Sequence, residues 1–368
     1  MPNPRKYDSM GMANRPRGVV SKQVLLLLVV VAAAAGGASY VASSWEGEAQ
    51  RELEKRTAST IFANIATAES LDEVYTDADG DLVADAPDEE ALLAKPKEIF
   101  FSFIASDDPA NSGAVWKAAT RAISEKTGLP VSYLQLDHAK AQLAALRGGQ
   151  LHVTAFGSGE VPTAVNHAGY VPLCTIGTPG EGEAAAKFGY KMQFIVKADS
   201  KIKDVKGLKD KKIAFVRPRS NSGCKAAMTL LKDQHGMLPE SDYQWYYSYS
   251  HDASIEAVLS GKADAAPTAS DILERKVAKD ELSDDSYRVI YESERFPPVA
   301  FGCSYNLPPE MRETISTALL ELDWTDTKLA EEMAAGEAKK FLPISYKDDW
   351  ANIRRVDQAA SAISNSLR

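Results

Sequence analysis

Hydrophobic and polar positions along this chain follow two interleaved periods. From Glu98, apolar runs of strand length at Ile99–Ala105, Val131–Leu136, Leu151–Phe156 and Tyr170–Ile176 are separated by amphipathic stretches over Ala110–Thr127, His138–Arg147 and Gly159–Ala168. Such a rhythm predicts alternating strands and helices. Lys191–Val196 reads as a strand crossing to a second set. That set has strands at Lys212–Val216, Tyr243–Tyr249, Ala263–Ala266 and Arg288–Glu292, with helices ending at Gln234, Ser260 and Ala278. Val299–Tyr305 reads as the return crossing, and helices over Pro308–Leu322, Glu331–Phe341 and Asp348–Leu367 close the chain. The pattern predicts an α/β fold of two lobes joined by two crossings, a hinged clamp with its ligand site at the carboxyl ends of the strands. The first lobe is expected over residues 98–188 and 296–368, the latter including C-terminal helices, and the second over 189–295.

The segment before Glu98 is of another kind. Val24–Ala42 carries no charge and is long enough to cross a bilayer as a helix. Arg5, Lys6, Arg15, Arg17 and Lys22 precede it, whereas Glu46 and Glu48 come after it. The positive-inside bias places residues 1–23 in the cytoplasm, residues 24–43 in the membrane as an anchor or signal, and the remainder outside. Small residues at Ala38–Ala42 keep a cleaved signal peptide open as the rival. The expected location is the cytoplasmic membrane, single-pass, with the soluble part in the periplasm or extracellular space. Residues 44–97 read as a helical stalk, Glu46–Val74, followed by an aspartate-rich loop. In that loop Asp77, Asp79, Asp81, Asp85 and Asp88 occupy positions 1, 3, 5, 9 and 12, the ligand spacing of an EF-hand-type calcium loop. Leu82 stands where such a loop has glycine, and Gly80 comes two places early. A structural Ca2+ is the expectation, a solvated acidic linker the alternative, and no other cofactor is called for.

Composition narrows the function classes. With 368 residues, 45% hydrophobic and 25% charged, the chain is an ordinary globular one. A net charge of −9 argues against a nucleic-acid surface but does not exclude a small anion, whose site depends on local N–H groups. Cys174, Cys224 and Cys303 are too few for a disulfide framework and too dispersed for zinc; they read as small core or turn residues, with one bridge as the alternative.

The candidate chemistry centres on Lys212–Met228. An apolar run, Ile213–Val216, meets Arg217-Pro218-Arg219, then Ser220-Asn221-Ser222-Gly223, and then a helix. A strand turning through hydroxyl residues into a helix leaves unpaired N–H groups backed by the positive end of the helix dipole, an arrangement that captures oxyanions. A plain helix cap is the bland reading of the same residues.

Asp199-Ser200, Lys206-Gly207-Leu208-Lys209, Lys212–Phe215, Ser220-Asn221-Ser222-Gly223, Ser250-His251-Asp252-Ala253 and Gly261-Lys262-Ala263-Asp264 recur in an order that resembles the phosphate/phosphite/phosphonate-binding proteins of ABC transporters, the PhnD-like group of the type II periplasmic binding fold. The similarity covers roughly Ile99–Leu322. It implies a solute-binding protein, not an enzyme, that takes a small phosphorus oxyanion and works with an ABC permease and ATPase. By the same resemblance Ser220, Asn221, Ser222, Gly223 and His251 hold the phosphoryl group. Asn221 stands where threonine is usual, and Phe156, in the first-lobe turn, stands where a tyrosine hydroxyl is often found. His138 and Ser112 are further first-lobe candidates, and Tyr190 beside the first crossing belongs either to the cleft or to hinge packing. The absence of counterparts to the acids that hold an ammonium group favours phosphate, phosphite or a small alkylphosphonate. Two other functions fit a two-lobed cleft, an enzyme and a membrane-tethered sensory scaffold. The chain has no GxSxG or HExxH motif, and the segment before Val24 is too short for a signalling domain.

Overall fold

A computed structural model describes residues 50–67, 70–103, 112–180, 188–334 and 338–368. Internal contacts set residues 1–53 apart from a compact unit, Glu54–Arg368, that carries both sheets and their helices. Val24–Ala42 lies outside the described residues. Among the described residues no helix is long and apolar enough to cross a membrane.

Helix α1 covers residues 50–65. The first sheet draws its strands from both ends of the unit: β1 (Ile99–Ser102), β2 (Val131–Tyr133), β3 (Val153–Phe156), β4 (Tyr170–Gly177), β10 (Ala300–Ser304) and β11 (Lys340–Pro343). Their spatial order is β11-β4-β10-β3-β1-β2. β1 pairs in parallel with β2 and β3, and β10, β4 and β11 add antiparallel. The second sheet contains β5 (Tyr190–Lys197), β6 (Lys212–Phe215), β7 (Gln244–Tyr247), β8 (Ala265–Ala269) and β9 (Tyr287–Phe296), ordered β7-β6-β8-β5-β9. The central strands β3, β8 and β10 are buried along their whole length, so they read as continuous apolar or small-residue runs rather than alternations.

The helices keep the expected rhythm. In the first lobe they are α2 (Ser112–Val115), α3 (Lys117–Thr127), α4 (Ala139–Arg147) and α5 (Val161–Ala168). In the second they are α6 (Ala226–His235), α7 (His251–Leu259) and α8 (Ser270–Ala278). Behind the second crossing come α9 (Pro309–Leu320), α10 (Lys328–Met333), α11 (Tyr346–Asp349) and α12 (Ala351–Ser366). Gly128 and Gly169 end α3 and α5 at φ of 72° and 60°, where a side chain would be strained.

The chain passes between the sheets twice, from β4 to β5 and from β9 to β10. The start of β5 and the end of β9 lie side by side, because Tyr190 pairs with Phe296. Lys191–Val196 therefore lies in the second sheet, not across the gap, and Val299–Tyr305 is largely a first-sheet strand. One core packs Trp116, Phe101, Phe301 and Phe341 behind the first sheet. A larger one runs from α5 through the second lobe to Trp350, Ile353 and Ile363 near the C terminus, and includes Phe62 and Ile65 of α1. α12 packs on α6 and on the segment Asn221–Lys225.

The helix expected over Glu331–Phe341 is corrected. α10 stops at Met333, and Phe341-Leu342 enter the first sheet as β11 opposite Ile176 and Thr175. Phe341 stacks edge-on against Phe301 and Trp324, and Pro343 cannot continue a helix. Burial of one large aromatic outweighed helix propensity there. All three cysteines are free and buried, so the single bridge does not form.

Candidate functional site

β6 delivers the chain into the turn that the sequence singles out. The Val216 N–H donates to Gly223 O at 2.8 Å, closing Arg217–Ser222 into a compact loop. Ser220 caps the helical segment at its start: its backbone is extended and its Oγ accepts from the Gly223 N–H at 3.2 Å. The first turn of that segment is wide, a π-type turn over Asn221–Lys225, with the Lys225 N–H donating to Ser220 O at 3.0 Å. Glycine at 223 is required by space, since a Cβ there would lie 2.3 Å from Val216 Cγ2. The Gly223 and Lys225 amides are thus consumed by the cap and the turn. The first two amides, of Asn221 and Ser222, have no carbonyl within the helix to bond.

This turn sits against the first lobe rather than on an outer face. Asn221 and Ser222 are each 2% exposed. Gly159, in the loop between β3 and α5, abuts the turn so closely that a Cβ on it would be 2.4 Å from Arg219 O and 2.8 Å from Asn221 N. Asn221 Nδ2 donates to the Tyr190 hydroxyl at 3.3 Å, and that hydroxyl donates to Ser158 Oγ at 3.2 Å. Burial raises the Tyr190 phenol, which stays neutral and serves as a relay between the first crossing, the first-lobe loop and the turn. Arg219 donates to Thr163 Oγ1, and Arg217 Nε lies 3.4 Å from the nearly buried carboxylate of Glu160. Lys225 is fully buried; its ammonium bonds Asp357 Oδ1 of α12 at 2.6 Å and Gly159 O at 2.8 Å. Tyr190 had a sequence signal in its place beside the crossing. Lys225 had none, because its partner lies 132 residues away.

His251 opens α7, behind the capping Ser250 whose Oγ accepts from the Ala253 N–H at 3.0 Å. The junction is fastened to the turn's own strand: the Ser248 N–H bonds Phe215 O and the Tyr249 N–H bonds Val216 O, each at 2.7 Å. The half-buried His251 ring pairs through Nδ1 with Thr268 Oγ1 at 2.9 Å. Desolvation, with the Arg217 charge adding to it, lowers its pKa to about 4, so the ring is neutral near pH 7. Among the described residues no bond joins His251 to residues 220–223.

The first-lobe candidates fare differently. Phe156 is 1% exposed and packs edge-on against Tyr170, 5.0 Å between centroids, so its ring is core. His138 caps α4, its Nδ1 accepting from the Ala141 N–H at 3.0 Å. Ser112 begins α2, and its side chain is outside the described residues. In the aspartate loop, carboxylate oxygens of Asp77, Asp79 and Asp81 converge to within 4.8 Å. Burial, reinforced by its acidic neighbours, raises the Asp81 carboxyl. Asp85 instead accepts from the Ala78 N–H at 2.8 Å and Asp88 is exposed, so the five do not all converge.

Residues 101–350 match the model of the family described as ABC transporter, phosphonate, periplasmic substrate-binding protein. The chain belongs to this family. Members are substrate-binding proteins of ABC transporters and not enzymes, and the family implies an extracytoplasmic soluble domain and a permease partner. The fold is similar to a binding protein component of an ABC phosphonate transporter from Pseudomonas aeruginosa, with 18% identity, TM-score 0.62, and coverage of 74% of this chain and 90% of that one. PhnD1 from Prochlorococcus marinus, solved in complex with methylphosphonate, is similar at 17% identity and TM-score 0.58, over 72% of this chain and 98% of its own. A search of curated proteins gave no match. In this member of the family the turn at residues 220–223 is the candidate site.

Proposed function

We propose that the protein captures a small phosphorus oxyanion, namely phosphate, phosphite or a small phosphonate, between its lobes at Ser220–Gly223 and presents it to an ABC permease and ATPase. The observation that carries this reading is the seating of the turn: Asn221 and Ser222 are buried at a helix start, and the Asn221 amide nitrogen lies against Gly159 of the first lobe. Such amides, with the Ser222 hydroxyl and the Asn221 side chain, donate to phosphoryl oxygens without a net positive charge. His251 adds one donor from Nε2 when the Thr268 hydroxyl donates to Nδ1. Arg217, three residues before Ser220, supplies a cation balanced by Glu160. Closure is favoured because the ligand gains its full set of contacts only when both lobes touch it. The methylphosphonate complex of the Prochlorococcus marinus relative supports the ligand class.

The hydrophobic segment Val24–Ala42 is proposed as the anchor that keeps the clamp at the outer face of the cytoplasmic membrane. Asp77, Asp79 and Asp81 are proposed to hold a structural Ca2+, which would offset the repulsion of three carboxylates in one loop. Calorimetric titration with phosphate, phosphite and methylphosphonate tests the main reading. Heat of binding with at least one is expected; no heat and no thermal shift with any of them overturns it.

A further inference from the structure

The last helix joins the two lobes. The chain reaches α12 from β11 in the first sheet, by way of α11, yet the helix packs on α6 and on Asn221–Lys225 of the second lobe. Its backbone thus comes from one lobe while its side chains dock on the other. At its start, Trp350 Nε1 donates to Ser158 O of the first-lobe loop at 3.1 Å, and Asn352 Nδ2 donates to Arg295 O near the end of β9 at 2.6 Å. Trp350 has φ −96° and ψ 7°, so α12 is not a rigid continuation of α11.

A buried ion pair fastens α12 to the second lobe. Lys225 and Asp357 are 0% and 3% exposed, with Nζ 2.6 Å from Oδ1. The ammonium also donates to Gly159 O of the first lobe at 2.8 Å and to Thr67 Oγ1 at 3.4 Å, which uses all three of its protons. One cation therefore meets the first-lobe loop, the segment after α1 and the C-terminal helix. Lys225 is also the last residue of the π-type turn, a feature that recurs at functional places.

Stability does not account for such a pair. Burying two charges costs about as much as their attraction returns, and well-packed apolar side chains would hold the shut form as well or better. The two chemistries differ in the open form. Parted ions are hydrated, whereas parted apolar side chains are left in water. An ion pair therefore suits a contact that must hold when the lobes are shut and release when they separate.

We propose that α12 is a reversible strap, clasped to the second lobe by Lys225 and Asp357, that sets the balance between open and shut forms and so the apparent affinity for ligand. This rests on the reading of the two lobes as an oxyanion clamp. Lys225 and Asp357 act in it as positioning residues, through the lobes rather than on the ligand.

The test compares the full chain with Asp357→Ala and with the double variant Lys225→Met, Asp357→Leu. Spin labels at Lys117→Cys of the first lobe and Lys262→Cys of the second, both exposed positions, report the interlobe distance by double electron–electron resonance, and the native cysteines are buried. Methylphosphonate is titrated calorimetrically. In the wild type the ligand should shorten the distance. The double variant should show the short distance without ligand and bind about tenfold tighter, because the shut form no longer has to be drawn from a minor population. Asp357→Ala, which strands the ammonium in the shut form, should lengthen the distance and bind about tenfold more weakly. A merely structural pair would change melting temperatures alone. Equal ligand-free distances and equal affinities in all three proteins overturn the strap, as does a wild type that binds ligand with no change in distance. If Asp357→Ala fails to fold, the double variant, which strands no charge, decides alone. If the wild type binds no methylphosphonate, the oxyanion reading is at fault, and the ligand-free distances still decide the strap: equal values overturn it, and a shorter one in the double variant supports it.

Discussion

Replacing Gly159 by alanine probes the contact between the lobes at a single atom. The new Cβ would sit 2.4 Å from Arg219 O and 2.8 Å from Asn221 N, whereas ordinary van der Waals contact begins near 3.4 Å. Relief therefore requires the β3–α5 loop and the oxyanion turn to part by about 1 Å. Both neighbours are backbone, so no side-chain rotation absorbs the overlap. Overpacking of this sort costs about 1–3 kcal/mol. In the ligand-free protein the lobes shed that cost by separating, and its melting temperature should change little. Ligand-bound closure cannot shed it, so the dissociation constant for methylphosphonate should rise about 5- to 150-fold. The upward shift in melting temperature produced by ligand should shrink accordingly. Calorimetry and thermal melting of the wild type and Gly159→Ala decide the matter. An alanine variant that binds as tightly as the wild type would show that this contact plays no part in closure.

The buried groups and the aspartate loop carry further consequences. Asp357→Ala strands the Lys225 ammonium without its carboxylate and should destabilise by about 3–5 kcal/mol in urea melts, whereas Lys225→Met combined with Asp357→Leu should recover most of the loss; equal damage in the double variant refutes the pairing argument. His251, with its folded pKa lowered to about 4, takes up a proton in the unfolded chain first, so its contribution is complete above pH 6.5 and is lost as pH falls toward 4. Discounted for partial solvent contact, that is about 2 kcal/mol, and His251→Gln should flatten the acid side of the stability profile; an unchanged slope counts against it. Calcium at millimolar concentration should raise the melting temperature over an EDTA control, and Asp79→Asn with Asp81→Asn should abolish the rise; no shift with the wild type refutes calcium binding.

Much of the fold is legible because its signals are local. Period-two and period-3.6 runs gave the strands and helices between Ile99 and Leu320 nearly in order, and the Ser220 cap with its space-limited Gly223 is written in four consecutive residues. Long-range packing was not legible in the same way. β11 hides in a stretch of helix-forming residues because its reason for being a strand is the aromatic cluster of Phe301 and Trp324. The interlobe seat of the turn depends on Gly159, Tyr190, Lys225 and Asp357, which come from four separate elements and meet only on folding. Phe156 and His138 show the other side of this: each stands at a strand end or helix start, and the structure adds a role the local sequence does not spell out, packing on Tyr170 for one ring and capping of α4 for the other.

A structure of the protein with methylphosphonate bound tests the central claim most directly. Phosphoryl oxygens within hydrogen-bonding distance of the Asn221 and Ser222 amides are the predicted result. A phosphonate bound away from residues 220–223, with those amides still facing only protein, would contradict it.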